Sequence, residues 1–162
     1  DSFMGLQILK NKIKVQKKLS KYFIKKYYQP QVQLKLTKKL LNFANTSIDI
    51  SDGLIDDLGK MINNQKLSFS INENKIPVSN ALSKIINQKK IKKVKLISNG
   101  DDYQILFTAS INKSRIIAQT SKNLGIKISK IGKICSNKKR SVIIDKKDKE
   151  IVLKNKGYVH QF

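Results

Sequence analysis

The segment that decides the fold runs from Thr46 to Leu58 and reads TSIDISDGLIDDL. Polar and apolar residues alternate over 47–51, and this period of two predicts a half-buried strand. Beyond that point the apolar residues recur with a helical period, which predicts an amphipathic helix with one apolar stripe made of Leu54, Ile55, Leu58, Met61 and Ile62. A strand is therefore predicted to run straight into a helix through a short turn.

The turn carries hydroxyl and carboxylate side chains. Ser51 or Asp52 is a natural N-cap for the helix, and Gly53 lets another group approach the backbone closely. Asp49 and Asp52, beside a hydroxyl and free N–H groups at a helix N-terminus, can hold Mg²⁺ and the phosphate oxygens that it carries. A plainer interpretation stays open, in which Asp52 only caps the helix and Asp49 is a solvated strand residue.

The 162-residue chain carries a net charge of +23, which is typical of proteins that bind nucleic acid or anionic membranes. Lysine supplies almost all of that charge, since Arg115 and Arg140 are the only arginines in the sequence. Proteins that recognise bases and phosphates rely on the bidentate fork of arginine. The charge is therefore interpreted as a lysine-rich solvated surface, and we expect no specific nucleic-acid partner.

Acidic residues are few and concentrated. The sequence has only eleven Asp and Glu residues. Six of them fall in two short segments of this strongly basic chain: Asp49, Asp52, Asp56, Asp57, Asp101 and Asp102. This concentration indicates that carboxylates are required at these places.

Cysteine content and hydropathy limit the compartments in which the chain is expected to occur. Cys135 is the only cysteine, which excludes a disulfide within the chain and fits a reducing compartment such as the cytoplasm. No apolar run approaches the ~20 residues that a membrane-spanning helix needs, so we expect no membrane partner. The chain opens at Asp1 and enters a helical pattern at once, from which we expect a fragment whose N-terminal part has been removed.

Periodicity and breaker residues divide the rest of the chain into short elements. Further helices are predicted over 2–15, 19–28, 34–43, 79–87 and 111–124, with Ser79 as an N-cap and Gly125 as a helix stop. Strands are predicted over 66–72, 103–109 and 151–153, a strand starting within 126–131 is expected to pair with 141–145, and 96–102 is predicted as a turn. This order predicts a single α+β domain over 1–162, an α/β sandwich in which helices flank one mixed β-sheet.

Three separated pieces of the sequence resemble the C-terminal half of the thiamine-monophosphate kinase family. They are Ser47-Ile48-Asp49-Ile50-Ser51-Asp52-Gly53-Leu54 with Asp57-Leu58, then Ser98-Asn99-Gly100-Asp101-Asp102-Tyr103 with Phe107-Thr108, and finally Gly157-Tyr158. The opening, Asp1-Ser2-Phe3-Met4-Gly5-Leu6, is also similar to the family's G-D-x-x-x-G-L segment. The resemblance implies the C-terminal fold of the aminoimidazole ribonucleotide synthetase-like superfamily.

The resemblance further implies a cytoplasmic kinase of thiamine diphosphate biosynthesis, which uses ATP to phosphorylate thiamine monophosphate. It implies a larger two-domain enzyme, in which an N-terminal domain absent from this chain forms a homodimer and supplies much of the ATP and Mg²⁺ site. The isolated chain is accordingly expected to be inactive. Phosphoryl transfer of this kind depends mainly on alignment and charge neutralisation, so no catalytic side chain acting as a nucleophile is expected.

By matched position, the resemblance implies that Asp49 and Asp52 bind Mg²⁺, with several ions expected, and that Ser51 contacts ATP phosphate. It implies that Asp101 and Tyr158 contact thiamine monophosphate. Asp101 stands where the family usually has Glu. The other departures from the family pattern lie at Gln29-Pro30-Gln31-Val32-Gln33, which lacks the usual two arginines, at Asn99, and in the tail after Tyr158, which has one residue inserted.

Two other functions remain open on the sequence. One is a different ATP-dependent enzyme of the same superfamily, acting on another small phosphate or carbonyl compound. The other is a lysine-rich module that binds nucleic acid through aromatic residues interleaved with lysines over 19–28. The second function leaves the clustered aspartates unexplained. His160 is interpreted as a structural or surface histidine.

Overall fold

The computed structural model describes residues 1–63, 65–136 and 140–152. Helices and strands alternate irregularly along these ranges, as the sequence predicts. Their order is α1 (Ser2–Leu9), α2 (Lys17–Tyr28), α3 (Leu34–Leu40), β1 (Ala44–Asp49), α4 (Leu54–Met61), β2 (Leu67–Asn72), α5 (Asn80–Lys89), α6 (Lys93–Ile97), β3 (Ile105–Ala109), α7 (Ser114–Leu124), β4 (Gly132–Ser136) and β5 (Val142–Ile144).

The predicted α+β class is confirmed, but the strands of the described residues form two sheets where one was predicted. β1 pairs antiparallel with β3, placing Asp49 opposite Ile105. In the second, mixed sheet, β2 lies in the middle, antiparallel to β4 and parallel to β5. The strand predicted to start within 126–131 begins at Gly132 as β4, and its predicted pairing with 141–145, where β5 lies, is wrong. Alternating hydrophobicity identifies a strand but does not determine its neighbour, and here β2 separates the two.

Buried apolar side chains of the described residues form three clusters, one of which is built on α4. The whole predicted stripe of this helix is buried, and it packs against Phe69 and Ile71 of β2, Leu106 of β3 and Ile143 of β5. Burial of one such side chain contributes roughly 1.5–3 kcal/mol, so the helix that follows the acidic turn is firmly anchored. The acidic turn is thereby held at a fixed place on the core.

The other two clusters position the flanking helices. One joins α1, α2 and α5 around Met4, Phe23, Leu82 and Ile85, and Phe23 is fully buried. The other joins α3 to the sheet of β1 and β3 through Leu36, Leu40 and Phe43, with α7 packed alongside. The flanking helices therefore pack on the elements from which the two motif loops emerge.

Several local predictions are confirmed. Ser79 is the N-cap of α5, and its hydroxyl accepts a hydrogen bond from the Leu82 amide at 3.0 Å. Gly125 ends α7 in the left-handed conformation, with φ of 62°. None of the helices within the described residues is long and apolar enough to cross a membrane.

Other element boundaries differ from the predictions. α1 ends at Leu9 although its apolar pattern continues to Ile13, and Asn11, with φ of 54°, has left the helical region. The segment predicted as a turn over 96–102 begins inside α6, whose short apolar run buries Leu96 and Ile97. The strand predicted over 151–153 is not formed at 151 and 152; the preceding residue Glu150 makes an isolated bridge with Ile144, and residue 153 lies outside the described ranges.

Candidate functional site

The two acidic motifs lie side by side at one end of the sheet formed by β1 and β3. Beyond the strands, the Ile50 amide donates to the Gln104 carbonyl oxygen and the Tyr103 amide donates to the Ile50 carbonyl oxygen, both at 2.9 Å. The Asp101 amide donates to the Ser51 carbonyl oxygen, also at 2.9 Å. The strand ladder therefore continues into both loops and joins residues that are far apart in the sequence.

Two glycines make this close approach possible. A Cβ atom on Gly100 would lie 2.4 Å from the Ser51 carbonyl carbon and 2.9 Å from the Asp52 Cα atom. Gly53 has φ of 129°, a conformation that favours glycine, and a Cβ atom there would meet the backbone of Ser98 at 2.9 Å. Each loop thus places a glycine against the backbone of the other, so the loops are locked together by main-chain contacts.

Asp57 holds the first loop in shape. Its side chain is 1% exposed, and its Oδ2 atom accepts hydrogen bonds from the amides of Ser51, Asp52 and Gly53 at 2.9, 3.0 and 3.1 Å. A buried carboxylate that accepts several backbone N–H bonds makes strong, charge-assisted interactions. This first-turn aspartate therefore organises the turn that precedes its own helix.

Two expectations about the turn are corrected by this arrangement. The N-cap residue of α4 is Gly53, with no side-chain cap, instead of Ser51 or Asp52. The amides of the turn are not free for a phosphate group, because Asp57 already occupies those of Ser51, Asp52 and Gly53. In the sequence, Asp57 is visible only as one member of an acidic cluster. Its position one helical turn after Gly53 is the available indication that its carboxylate can reach the amides of the turn.

Lys60 lies among three carboxylates on the exposed side of this turn. Its Nζ atom bonds to Asp52 Oδ2, lies 2.9 Å from Asp56 Oδ2 and lies 3.3 Å from Asp57 Oδ1. These interactions, the hydrogen bond with Asp52 first, raise the pKa of the Lys60 amine well above its usual value. The lysine is therefore a charged ammonium group at the centre of the acidic cluster.

The same three aspartates form the group best suited to a metal ion within the part of the chain that the structure describes. Carboxylate oxygens of Asp52, Asp56 and Asp57 lie within 4.8 Å of one another. Mg²⁺ prefers hard oxygen ligands of this kind, and the contact of one ammonium with all three carboxylates shows that the geometry suits a cation. The donor set therefore fits the implied metal.

The structure brings together some of the predicted site residues more closely than others. Ser51, Asp52 and Asp101 meet where the loops touch. Asp49 is the last residue of β1 and is exposed, and its carboxylate makes no hydrogen bond or ion pair with the described residues. Asp49 is therefore near the turn in the chain but outside the three-aspartate group. Tyr158 and His160 lie outside the described residues.

Asp101 has a distinct electrostatic environment at the loop contact. Its backbone is in the left-handed region, with φ of 65°, which Asp tolerates better than most residues. Partial burial, together with the negative charges of Asp102 and Asp52, raises the pKa of the Asp101 carboxyl above its usual value. A cationic ligand group would relieve this unfavourable environment, so the geometry suits a positively charged partner.

Asp102, by contrast, has a structural role. Its Oδ1 atom accepts hydrogen bonds from the backbone nitrogens of Asp1 and Ser2, at 3.0 and 3.1 Å, and so caps the start of α1. Asp1 in turn accepts hydrogen bonds from the Tyr22 hydroxyl at 2.9 Å and the Ser79 hydroxyl at 2.7 Å. This network ties three helices to the loop that carries Asp101.

A cavity of about 1460 Å³ also opens within the described residues, between the core clusters. Apolar side chains such as Leu58, Phe69 and Ile97 dominate its lining, which includes Asp102 but none of Asp49, Ser51, Asp52 and Asp101. Lysines such as Lys26 and Lys130 also line it, but none of the three aspartates suited to a metal ion does. The paired acidic loops are therefore the better candidate for a site that binds a metal ion.

No protein-family model matches the chain. Curated thiamine-monophosphate kinases match nearly all of it. The relative from Buchnera aphidicola subsp. Schizaphis graminum is 35% identical over 163 residues, covering 99% of this chain and 49% of the relative. The relative from Escherichia coli strain K12 is 31% identical over 162 residues, again covering 99% of this chain and 49% of the relative. The chain thus spans about half the length of these relatives and matches their C-terminal half.

Solved structures share the fold. A structure described as AaThiL complexed with AMPPCP and TMP has a TM-score of 0.72 at 21% identity, covering 96% of this chain and 47% of that chain. Thiamine monophosphate kinase from Aquifex aeolicus has a TM-score of 0.70 at 23% identity, covering 93% and 47%. At these identities the likeness concerns the fold.

Proposed function

Because the chain belongs to the thiamine-monophosphate kinase family, whose C-terminal half it matches, we propose that it forms the C-terminal half of an ATP-dependent kinase that converts thiamine monophosphate to thiamine diphosphate. In that reaction a terminal phosphate oxygen of thiamine monophosphate attacks the γ-phosphorus of ATP. The bond from that phosphorus to the β–γ bridging oxygen breaks, and ADP leaves with the electron pair.

The observation that carries this proposal is the contact between the two acidic loops. The hydrogen bond from the Asp101 amide to the Ser51 carbonyl oxygen joins these loops, which under this proposal are the acceptor loop and the phosphate and metal loop. A kinase needs its donor and acceptor groups held together, because alignment of the reacting groups supplies much of the rate enhancement. The fold is also that of AaThiL, whose complex holds AMPPCP and TMP.

On the donor side, Asp49 and Asp52 would hold Mg²⁺, with Asp56 and Asp57 close to Asp52. When bound, the metal ions would supply charge neutralisation for the phosphates of ATP. Ser51 would contact an ATP phosphate through its hydroxyl, since its backbone N–H already bonds to Asp57. The contribution of Asp57 is to fix the turn on which Ser51 and Asp52 lie.

On the acceptor side, Asp101 would face the cationic thiazolium or the aminopyrimidine of thiamine monophosphate. Partial burial, together with the negative charges of Asp102 and Asp52, raises the pKa of this carboxyl, and a cationic ligand group would stabilise its ionised form. Tyr158 would offer an aromatic face for cation–π contact, worth about 0.5–2 kcal/mol. The family resemblance alone supports the role of Tyr158.

The remaining parts of the enzyme would come from an N-terminal domain, as the resemblance implies. That domain would complete the ATP and Mg²⁺ site and form a homodimer, and the whole enzyme would be cytoplasmic. The coverage of about half of each relative is consistent with this division. A nucleic-acid module is not favoured, because it leaves the contact between the two acidic loops unexplained.

A chimeric enzyme tests whether this chain performs the C-terminal role. The C-terminal half of the E. coli relative is replaced by this chain, and conversion of thiamine monophosphate to thiamine diphosphate is measured by chromatography. We expect conversion that requires ATP and Mg²⁺, and none by the same chimera carrying Asp52→Asn. A chimera that folds and binds ATP but leaves thiamine monophosphate unchanged would contradict the proposal.

A further inference from the structure

Lys60 is placed in the acidic site by helical geometry. It lies in α4 three residues after Asp57 and four after Asp56, and both spacings bring side chains to the same helix face. The turn before the helix brings Asp52 to that face as well. The lysine therefore reaches all three carboxylates from its position in the helix.

The contacts of Lys60 are of the kind that a bound cation would make. Its Nζ atom is bonded to Asp52, lies 2.9 Å from an oxygen of Asp56 and lies 3.3 Å from an oxygen of Asp57. Among the described residues, the same three carboxylates also form the group that could hold a metal ion. The ammonium group and a metal ion would therefore compete for the same carboxylates.

We propose that the Lys60 ammonium is the resident counter-ion of this site, and that a divalent cation binds to Asp52 by displacing it. The proposal rests on the proposed function for the expectation that Asp52 is a metal ligand. Lys60 is then a positioning residue, which keeps the acidic loops compact before the metal and nucleotide arrive and leaves Asp52 when they do.

The exchange is physically feasible. The Lys60 side chain is 48% exposed, and its flexible four-carbon stem can turn towards solvent, where an ammonium group is well hydrated. A divalent cation carries twice the charge and approaches carboxylate oxygens to about 2.0–2.1 Å in the case of Mg²⁺, closer than an ammonium group does. The direct attraction of the metal to the carboxylates is therefore stronger than that of the ammonium group.

Metal affinity provides the first test. Binding of Mn²⁺ to the 162-residue chain is measured by electron paramagnetic resonance of the free ion, for the wild type, Lys60→Met and Lys60→Gln. Both variants remove the competing charge, so we expect their Kd for Mn²⁺ to be lower by about tenfold or more. Lys21→Met is the matched control, since it removes one charge from an exposed lysine of α2, and its Kd should stay within about twofold of the wild type.

Lysine reactivity in the wild type provides a second test that needs no variant. Amines are acetylated for a short time with and without Mn²⁺, and the extent at each lysine is read by mass spectrometry. We expect Mn²⁺ to raise the acetylation rate of Lys60 severalfold and to leave that of Lys21 unchanged, because only Lys60 is released from carboxylates.

Several outcomes would overturn the proposal. They are equal Mn²⁺ affinity in Lys60→Met and the wild type, weaker affinity in both Lys60 variants, no Mn²⁺ binding by any of them, or unchanged acetylation of Lys60. Should Lys60→Met fail to fold, the acetylation result alone decides. None of these measurements requires turnover, so a failure to phosphorylate thiamine monophosphate would refute the proposed function without altering them.

Discussion

Gly100 lies so close to Ser51 that a Cβ atom on the glycine would be 1.7 Å from the Ser51 carbonyl oxygen. Neither partner can retreat easily, because the Asp101 amide donates to that same carbonyl oxygen and Asp57 holds the Ser51 amide. The two acidic loops therefore behave as one unit. Because the loops are fixed to each other, Ser51, Asp52 and Asp101 are held close together.

Replacement of Gly100 by alanine should disrupt the loop contact. Gly100→Ala is expected to lower the free energy of unfolding by about 2 kcal/mol or more, since the new methyl group meets backbone atoms that cannot rotate away. Denaturant unfolding measures the change. Gly59→Ala is the matched control: a Cβ atom there has nothing within 4 Å, and alanine in a helix should be neutral or stabilise by about 0.5–1 kcal/mol. Equal losses in the two variants would show that the loop contact is not tight.

The carboxylate of Asp57 should matter more for stability than its neighbour in the helix. Asp57→Asn weakens three charge-assisted hydrogen bonds to backbone amides in a buried place, and we expect a loss of about 2–3 kcal/mol. Asp56→Asn, on the partly exposed face of the same turn, should cost about 1 kcal/mol or less. If both variants unfold at the same denaturant concentration, Asp57 does not organise the turn.

Loss of charge at the expected metal ligands should impair catalysis without unfolding the protein. In the complete gene product that contains this chain, Asp49→Asn and Asp52→Asn should each lower kcat by about 100-fold or more, or about 2.7 kcal/mol. Both substitutions are nearly isosteric, so melting temperatures should change little. Near-normal turnover at low Mg²⁺ in either variant would remove that residue from the metal site. Asp49 is the more demanding test, because it lies outside the three-aspartate group.

The raised pKa of Asp101 predicts a pH-dependent effect on stability. Because this pKa lies above 3.8, the folded chain binds the proton more tightly than the unfolded chain, and the ionised carboxylate costs stability above the folded pKa. Asp101→Asn should therefore stabilise the chain at pH 7, and the gain should shrink as pH falls through the folded pKa towards 3.8. Asparagine tolerates the local φ of 65°.

Thermal unfolding of Asp101→Asn at pH 7 and pH 4 measures this difference. The matched control is Asp148→Asn, since Asp148 is an exposed aspartate whose φ is 57°. That substitution should change stability little at either pH. A variant Asp101→Asn that is less stable than the wild type at pH 7 would mean that the carboxylate closes its loop instead of being held in readiness for a ligand.

The same carboxylate should govern affinity for the acceptor. In the complete gene product, Asp101→Asn and Tyr158→Ala are each expected to raise KM for thiamine monophosphate by roughly tenfold, ~1.4 kcal/mol, with a much smaller effect on KM for ATP. Steady-state kinetics with each substrate varied in turn separates the two. Unchanged KM for the acceptor together with a lower melting temperature would assign both residues a structural role.

Features encoded by local pattern could be predicted from the sequence. The apolar stripe from Leu54 to Ile62, the Ser79 cap and the Gly125 stop are confirmed because periodicity and capping act within a few residues. The neighbours of β4 and β5 could not be predicted, because strand pairing depends on residues distant in the chain. The short helix α6 was missed for a different reason, since only five residues carry its pattern.

The residues of the candidate site also fall into two groups: those that the sequence indicates and those whose roles the structure shows. The acidic motifs were recognisable, and the resemblance pointed to Asp49, Ser51, Asp52 and Asp101. For Asp57 the sequence offers only its spacing after Gly53, and the roles of Asp57 and Lys60 become visible in the three-dimensional arrangement. Asp57 can accept hydrogen bonds from three successive amides only because the turn follows a particular path. Lys60 can contact three aspartates only because the turn brings Asp52 to the helix face that carries the other two.

The most direct test of the proposed function is transfer of the γ-phosphate by the complete gene product. With γ-labelled ATP, Mg²⁺ and thiamine monophosphate, we predict labelled thiamine diphosphate, and little labelled product from thiamine or from unrelated monophosphates. The E. coli relative serves as the positive control under the same conditions. A folded protein that binds ATP but forms no labelled thiamine diphosphate, while the control does, would contradict the proposed function.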